Sequence, residues 1–388
     1  MAGTGQRGQL SATAARAVRR AAAVAALVLL VAACGTVASR SGTAQPAQPT
    51  APSGAVAAGS AVPGAISETG SSLLYPLMRS WAAAYQRQAP GVTVTTASTS
   101  SGAGISAAAA GSADLGASDA YLSSGDLVKK PTLRNIPLAV SAQTVIYNLP
   151  EVSAASHVRL NGAVLAGIYD GSITMWNDPR ITAINPQLAL PAIKIVPVER
   201  SDSSGDTFLF TSYLSTQDTG WDTAVGYGTL AAWPRVAAAR MVKGSTSVVQ
   251  ACASAPGCVA YNGISYLSQA RQAGLGEAEL ANAAGRYSLP DAATIQASAG
   301  SFVSLTPGSE TISMIDGPSA TGYPIVNYEY AVVSTSQPDA AKASALKAFL
   351  HWVITSGNAA GYLNPVGFQP LPADLVTLGE QQIGEIGP

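Results

Sequence analysis

The sequence predicts an α/β protein built in two halves, and three observations carry that expectation. Short runs with strand character alternate with apolar sets at helical spacing. Polar loops rich in serine and glycine stand where one gives way to the other. At 388 residues, 47% hydrophobic and 11% charged, the chain has material for a sizeable core in one large domain or two ordinary ones. Alanine dominates the apolar share and aromatics make up only 6%, which favours helices packed closely on a sheet.

Residues 1–33 stand outside that fold. Arg7, Arg16, Arg19 and Arg20 precede an uncharged apolar run at 21–33, shorter than the ~20 residues a permanent membrane span needs. This is the pattern of a signal peptide. The run ends Val31-Ala32-Ala33-Cys34-Gly35, which resembles a bacterial lipobox, with small residues admitting the peptidase and Cys34 taking a palmitate-type lipid. Residues 34–65, rich in Ala, Pro, Ser, Thr and Gly, read as a flexible tether, so folding should begin near Ile66.

Four of the 21 basic residues leave with the signal peptide, so 17 remain against 22 acids, a formal charge of −5. No basic stripe is left to displace counterions from nucleic acid, and an anionic ligand would have to be drawn in by local donors. Cys252 and Cys258 are separated by Ala-Ser-Ala-Pro-Gly; in an exported chain they read as a disulfide closing a small loop. Metal binding is the poorer alternative, because no histidine lies near the pair.

The elements follow in order. After Gly70-Ser71-Ser72, the residues Leu74, Leu77, Met78, Trp81 and Tyr85 recur at helical spacing, with Pro76 tolerable in a first turn. Val92-Thr93-Val94-Thr95 alternates as a strand does and runs through Thr99-Ser100-Ser101-Gly102-Ala103-Gly104 into an alanine-rich helix at 105–110. Asp114-Leu115-Gly116-Ala117-Ser118-Asp119 is a short strand closing on a polar turn, and 136–147 suits a buried crossing strand. Short helices are expected at 161–169 and around Trp176-Asn177-Asp178-Pro179. An extended run at 193–198 leads to Arg200-Ser201-Asp202-Ser203-Ser204-Gly205-Asp206-Thr207 and an apolar helix at 208–214. Beyond it, 257–263 reads as strand and turn, 291–299 as a helix and 323–333 as a strand. Residues 339–356 place Leu346, Phe349, Leu350 and Val353 on one helical face, and a proline-rich irregular tail is expected after them.

Strand, small polar residues, helix is the order that aims unpaired N–H groups and the positive end of a helix dipole at an anion. One such loop is ordinarily just an N-cap and a turn. Three of them, at 70–72, 99–104 and 201–207, should gather at the carboxyl edge of a sheet, where α/β folds hold ligands. Arg200 would supply the charge, since its fork can give two parallel bonds to one oxyanion, or Asp202 could hold it in place. Asp119 and Asp206 would select the anion, because a carboxylate repels an anion unless the ligand brings a proton. Phosphate near neutral pH does so and sulfate does not, a difference of roughly 10³-fold. A helix-cap role is the competing reading for both aspartates.

No Gly-Lys-Ser/Thr sequence occurs, so a nucleotide P-loop is excluded, and no cofactor or metal is implied. The competing function is an exported phosphatase or serine-type hydrolase using the same oxyanion loops. Against it, Gly116-Ala117-Ser118-Asp119-Ala120 lacks the last glycine of a nucleophile elbow, and neither His157 nor His351 stands where a base is expected.

Four ordered motifs, Gly70-Ser71-Ser72-Leu73-Leu74-Tyr75-Pro76, Ser100-Ser101-Gly102-Ala103-Gly104-Ile105, Gly116-Ala117-Ser118-Asp119 and the Arg200 to Phe208 stretch, resemble the PstS family of phosphate-binding proteins, especially its lipoproteins. Trp176-Asn177-Asp178-Pro179 and Tyr328-Glu329-Tyr330 continue the resemblance, which covers about residues 66–375. It implies a two-domain, type II periplasmic-binding-protein-like fold, with lobe one at 66–138 plus 325–388 and lobe two at 139–324. Such a protein, as a monomer, closes on inorganic phosphate and delivers it to the permease and ATPase complex of an ABC importer, held to the cell membrane through Cys34.

The resemblance further implies that Ser72, the Leu73 N–H and Ser100 bind phosphate oxygens and that Asp119 accepts the phosphate proton. Arg200, Ser204, the Gly205 N–H and Asp206 would close from the other lobe. Two positions depart from many members: Ser203 where glycine is common, and Asp206 where threonine is. A positive φ would strain Ser203, and Asp206 would add a second proton acceptor, favouring the more protonated phosphate.

Overall fold

The structure, a computed structural model, describes residues 64–388. The expected signal peptide, Cys34 and all but the last two residues of the expected tether lie outside the described residues. Among the described residues no helix is long and apolar enough to cross a membrane.

The first half is a run of strand–helix units: β1 (Ala65–Gly70), α1 (Tyr75–Gln88), β2 (Thr93–Ser98), α2 (Ser101–Ala110), β3 (Leu115–Ser118) and α3 (Ser124–Lys129). In α1 the periodic set Leu77, Met78, Trp81 and Tyr85 is buried as its spacing requires, and Pro76 occupies the first turn. β4 (Leu133–Tyr147) is fifteen residues long and buried almost throughout.

The second half continues with β5 (Arg159–Leu160), α4 (Gly162–Tyr169), α5 (Pro179–Thr182), β6 (Val196–Arg200), α6 (Gly205–Gln217) and α7 (Thr219–Ala224). After these come β7 (Arg240–Val242), α8 (Ser245–Ala253), β8 (Cys258–Gly263), α9 (Leu267–Gln272), β9 (Gly276–Glu277), β10 (Glu279–Ala281), β11 (Tyr287–Ser288) and α10 (Ala292–Phe302). The chain then returns through β12 (Val326–Ser334) and closes with α11 (Ala340–Ile354), α12 (Ala360–Leu363) and α13 (Ala373–Gly384).

The main sheet has the order β2-β1-β3-β12-β4-β8-β6-β7, with β9 also paired to β4; β11-β10-β5 form a small second sheet. β4 joins the two halves of the main sheet. Its residues from Leu133 to Ala142 pair with β12, and those from Gln143 to Tyr147 pair with β8. β1, β2 and β3 run parallel to one another, and β3 and β4 both run against β12, so all four point the same way. β8, β6 and β7 are mutually parallel and run against β4. Strands of the first half therefore travel toward the crossing along β4, those of the second half travel back toward it, and both sets bring their carboxyl ends there.

The irregular tail expected after 356 is corrected by the structure. Pro372 sits at the N-cap of α13, where its missing N–H costs nothing, and the helix buries Leu375, Gly379, Gln382 and Ile383 at helical spacing. α3 is a helix that the sequence reading passed over, although Ser123 and Asp126 form its capping box.

Cys252 and Cys258 are joined in a disulfide with Cα atoms 5.2 Å apart. It ties the end of α8 to the start of β8, so the helix that opens at Ser245 is fixed at its far end. Replacing both cysteines by serine should lower stability by about 2 kcal/mol, the closure entropy of so short a loop. A thermal melt of the double variant beside the parent, with and without reductant, checks this: the parent in reductant should match the variant.

Candidate functional site

Where the two sets of strands meet, the loops after β1, β2, β3, β6 and β7 face one another around Arg200. Its guanidinium is buried and all five of its N–H donors have protein acceptors. Nε and Nη2 form a bidentate pair with Asp202 at 2.7 and 2.6 Å, and Nη1 donates to Asp206 Oδ2 at 2.9 Å. The two remaining donors make long contacts of 3.4 Å, to Ser72 Oγ and Ser245 Oγ. Those hydroxyls lie 2.7 Å from each other. The strong pairs orient the group, and the two weak contacts mark the direction in which an incoming anion would find donors to take over.

Arg200 is held from behind as well. Its N–H donates to Tyr261 Oη at 3.0 Å and its carbonyl accepts from Trp233 Nε1 at 3.3 Å. Tyr261 stacks on Phe210 with ring centroids 4.4 Å apart and lies between Tyr169 and Trp233 in an aromatic cluster of the second half. Thr207 Oγ1 pairs with the same Tyr261 hydroxyl at 2.9 Å, so α6 and β6 share one anchor.

The backbone supplies neutral donors. No described residue accepts from the N–H groups of Ser72 and Leu73 ahead of α1, of Ser101 at the start of α2, or of Gly205, Asp206 and Thr207 in the first turn of α6. These lie at helix N-termini, where the dipole is positive. The two halves touch through them: Gly102 N–H donates to the Ser203 carbonyl at 2.9 Å, and Ser265 Oγ donates to the Leu73 carbonyl at 2.7 Å. A Cβ on Gly205 would collide with the Asp119 carboxylate and the Ser101 hydroxyl, so only glycine permits this approach.

Asp119 is buried where β3 ends and accepts from Ser71 Oγ. Burial, reinforced by the charge of Asp206, pushes its carboxyl up to about 6 despite the pull of Glu329, Ser71 and Arg200. Asp202 goes the other way: burial alone would raise it, but its hydrogen bond and charge pairing with Arg200 hold it below the usual range. Asp206 is pushed up by burial against the pull of Arg200, Gln143 and Ser245.

The residues singled out from the sequence converge in this region with changed duties for some. Ser72, Arg200 and Asp206 lie within hydrogen-bonding reach of one another or share Ser245 as a partner, and Leu73 and Gly205 present free N–H groups. Ser204 caps α6 without a side-chain capping bond, which leaves its hydroxyl uncommitted to the cap. Ser100 Oγ accepts from Ala103 N–H as the N-cap of α2, and the hydroxyl beside Asp119 and Gly205 is that of Ser101. Asp206 already has donors on both oxygens, Gln143 on Oδ1 at 3.2 Å and Arg200 and Ser245 on Oδ2. It serves first to hold Arg200. Ser203 is not among the residues at positive φ, so no strain arises there; its hydroxyl bonds Thr229 at 2.9 Å.

Ser245, Gln143 and Ser101 were missed in the sequence. Gly244-Ser245 after a short polar strand is the one local signal that could have pointed to Ser245. The histidines sit elsewhere: His157 Nδ1 contacts the Glu277 carbonyl at 3.0 Å, and His351 faces Glu380 at 3.4 Å, so neither serves as a base for a serine of this site.

Residues 47–356 match a family profile described as a PBP superfamily domain. A phosphate-binding protein PstS of Methanocaldococcus jannaschii is 34% identical over 346 residues, covering 83% of this chain and 86% of that protein. One from Xylella fastidiosa is 32% identical over 311 residues, covering 80% and 82%. Among solved structures, a periplasmic phosphate-binding protein (PfluDING) bound with phosphate aligns with a TM-score of 0.64 at 21% identity, covering 83% of this chain and 99% of that one.

The close approach at Gly205 is testable. Gly205→Ala overpacks the contact by about 1–3 kcal/mol, so oxyanion affinity measured by titration calorimetry should fall at least about fivefold. The melting midpoint should stay near that of the parent if the two halves separate to relieve the clash. Unchanged affinity would show that they need not approach this closely.

Proposed function

This chain belongs to the PBP superfamily and, within it, to the PstS phosphate-binding proteins, and from that membership we propose that it binds inorganic phosphate outside the membrane and delivers it to the permease of an ABC importer. The observation that carries this reading is the pairing of opposite functions in one buried site: Arg200 and the free N–H groups of three helix starts as donors, with Asp119 as an acceptor among them.

Phosphate at neutral pH is the oxyanion that suits such a set. Its unprotonated oxygens take the N–H groups of Ser72, Leu73, Ser101 and Gly205, the Ser100 and Ser204 hydroxyls and the Arg200 donors now resting on Ser72 and Ser245. Its one proton goes to Asp119. Sulfate brings no proton, so its oxygen would face a buried carboxylate. Asp206 contributes its N–H while its side chain keeps the guanidinium oriented.

The lobes of this reading are 66–138 plus 325–388 and 139–324, hinged on the two segments that pass between them near Leu138 and Ile325. Closure joins the Ser72 and Asp119 side to the Arg200 and α6 side. Lipidation at Cys34 would hold the monomeric receptor at the cell surface within reach of its permease. Binding is the whole of the chemistry, since the site has a charged clamp and an acceptor but no histidine to activate a nucleophile.

Equilibrium dialysis with labelled phosphate should give saturable binding of one equivalent, and sulfate should compete at least about 10³-fold more weakly. Sulfate competing at similar concentration would sink the role of Asp119. Steady turnover of p-nitrophenyl phosphate by pure protein would replace this reading with the phosphatase alternative.

A further inference from the structure

Behind Asp119 lies a second buried carboxyl. Tyr330 of β12 pairs with Ser118 of β3 in an antiparallel register, which sets Glu329 opposite Asp119 where β3 ends. The register of β12 against β4 shifts between Glu329 and Tyr330, a bulge at the residue whose side chain must turn toward the site. Glu329 is fully buried at the position that this register sets opposite Asp119. Its Oε1 accepts from Ser141 Oγ at 2.6 Å and from Asn327 Nδ2 at 3.0 Å. Its Oε2 has no donor among the described residues. Asn327 Nδ2 also reaches the Asp119 carbonyl at 3.4 Å, so the same amide braces both residues.

Two carboxylates in contact without a proton between them repel, and neither can donate to the other. Around them stand Arg200 at the end of β6, Asp206 in the first turn of α6, Ser71 from the loop after β1 and Ser141 from β4, while the Tyr330 hydroxyl of β12 turns away to the Glu310 carbonyl. With Asp119, Glu329, Asp202 and Asp206 all ionised against Arg200 alone, the cluster would be strongly negative before any anion arrived. One proton must reside there. The oxygen placed to carry it is Glu329 Oε2, which is buried and has no donor among the described residues.

We propose that Glu329 is a positioning residue of this site: carrying a proton on Oε2, it donates a hydrogen bond to the Asp119 carboxylate and so keeps Asp119 an acceptor for the ligand's own proton. Burial first, and then the charge and hydrogen bond of Asp119, push the Glu329 carboxyl well above its usual range, which agrees with this assignment. Asp119 then has Ser71 and Glu329 as protein donors while its Oδ2 remains against Gly205, facing the free N–H groups of α6. The device removes one negative charge from behind an anion site without giving up the acceptor in front of it.

The inference rests on the phosphate-binding reading for its ligand, but its proton can be observed without one. In Glu329→Gln the amide is an isostere of the protonated acid: its oxygen accepts from Ser141 and Asn327 and its NH₂ donates to Asp119. The infrared difference spectrum of parent minus Glu329→Gln, recorded on unliganded protein at pH 7, should show the C=O band of a protonated buried carboxyl. A carboxylate band in its place overturns the proposal. In phosphate titrations Glu329→Gln should stay within about threefold of the parent, while Glu329→Met, similar in volume but without a donor, should lose at least about tenfold. A folded Glu329→Gln variant that loses tenfold overturns it as well. Absence of phosphate binding by the parent would instead overturn the functional reading and leave the infrared result to decide where the proton resides.

Discussion

The buried guanidinium of Arg200 is the constraint on which the rest of the site depends. A charge taken out of water is tolerable only if its donors are met and its field is balanced, and leaving one partner out costs about 3–5 kcal/mol. Asp202 and Asp206 supply both needs, one through a bidentate pair and one from the first turn of α6. That solution fixes the short spacing of the two acids after the arginine, the start of α6 directly behind them and the closeness of Ser245 on α8. It also accounts for the aromatic wall of Tyr261, Trp233 and Phe210, which holds the backbone at Arg200 so that the fork points across to Ser72.

Two buried acids against one buried arginine leave the cluster short of positive charge, and Asp119 deepens the deficit. Such an arrangement suits a ligand that brings a proton and neutral N–H donors that carry no counter-charge. Helix N-termini provide those donors, and the contacts at Gly102, Ser203 and Gly205 leave them buried. In that dry setting each polar contact counts for more than it would at a surface, and an unmatched one is penalised more heavily. Selectivity therefore arises from the proton inventory of the site as well as its shape.

Much of this was legible in the sequence because local rules wrote it. Strand–loop–helix junctions at Ser72, Ser100 and Ser204 follow from turn and cap chemistry, the core face of α1 follows from its spacing, and Arg200 to Thr207 lies in one continuous stretch. What escaped depends on tertiary pairing. Gln143 and Ser245 reach Asp206 from elements 63 and 39 residues away, which no local pattern reports. Ser100 and Ser101 differ only in which of them caps α2, a choice made by the backbone where the helix begins. Glu329 faces Asp119 through a strand register and a bulge that exist only once β12 returns to the sheet. The prolines of the tail suggest irregular chain by composition, but Pro372 caps a helix whose burial depends on the sheet it packs against.

The most direct measurement is a crystal structure of the chain grown with phosphate. The account predicts an anion enclosed between the loops after β1, β2, β3 and β6, with oxygens on the N–H groups of Leu73 and Gly205, on Arg200, and one on the Asp119 carboxylate. Ser72 and Ser245 should have lost their contacts with the guanidinium, while Asp202 and Asp206 keep theirs. Phosphate found instead in the open groove of about 780 Å³ lined by Ser265, Arg271 and Gln369, with Arg200 still closed on its present partners, would contradict it.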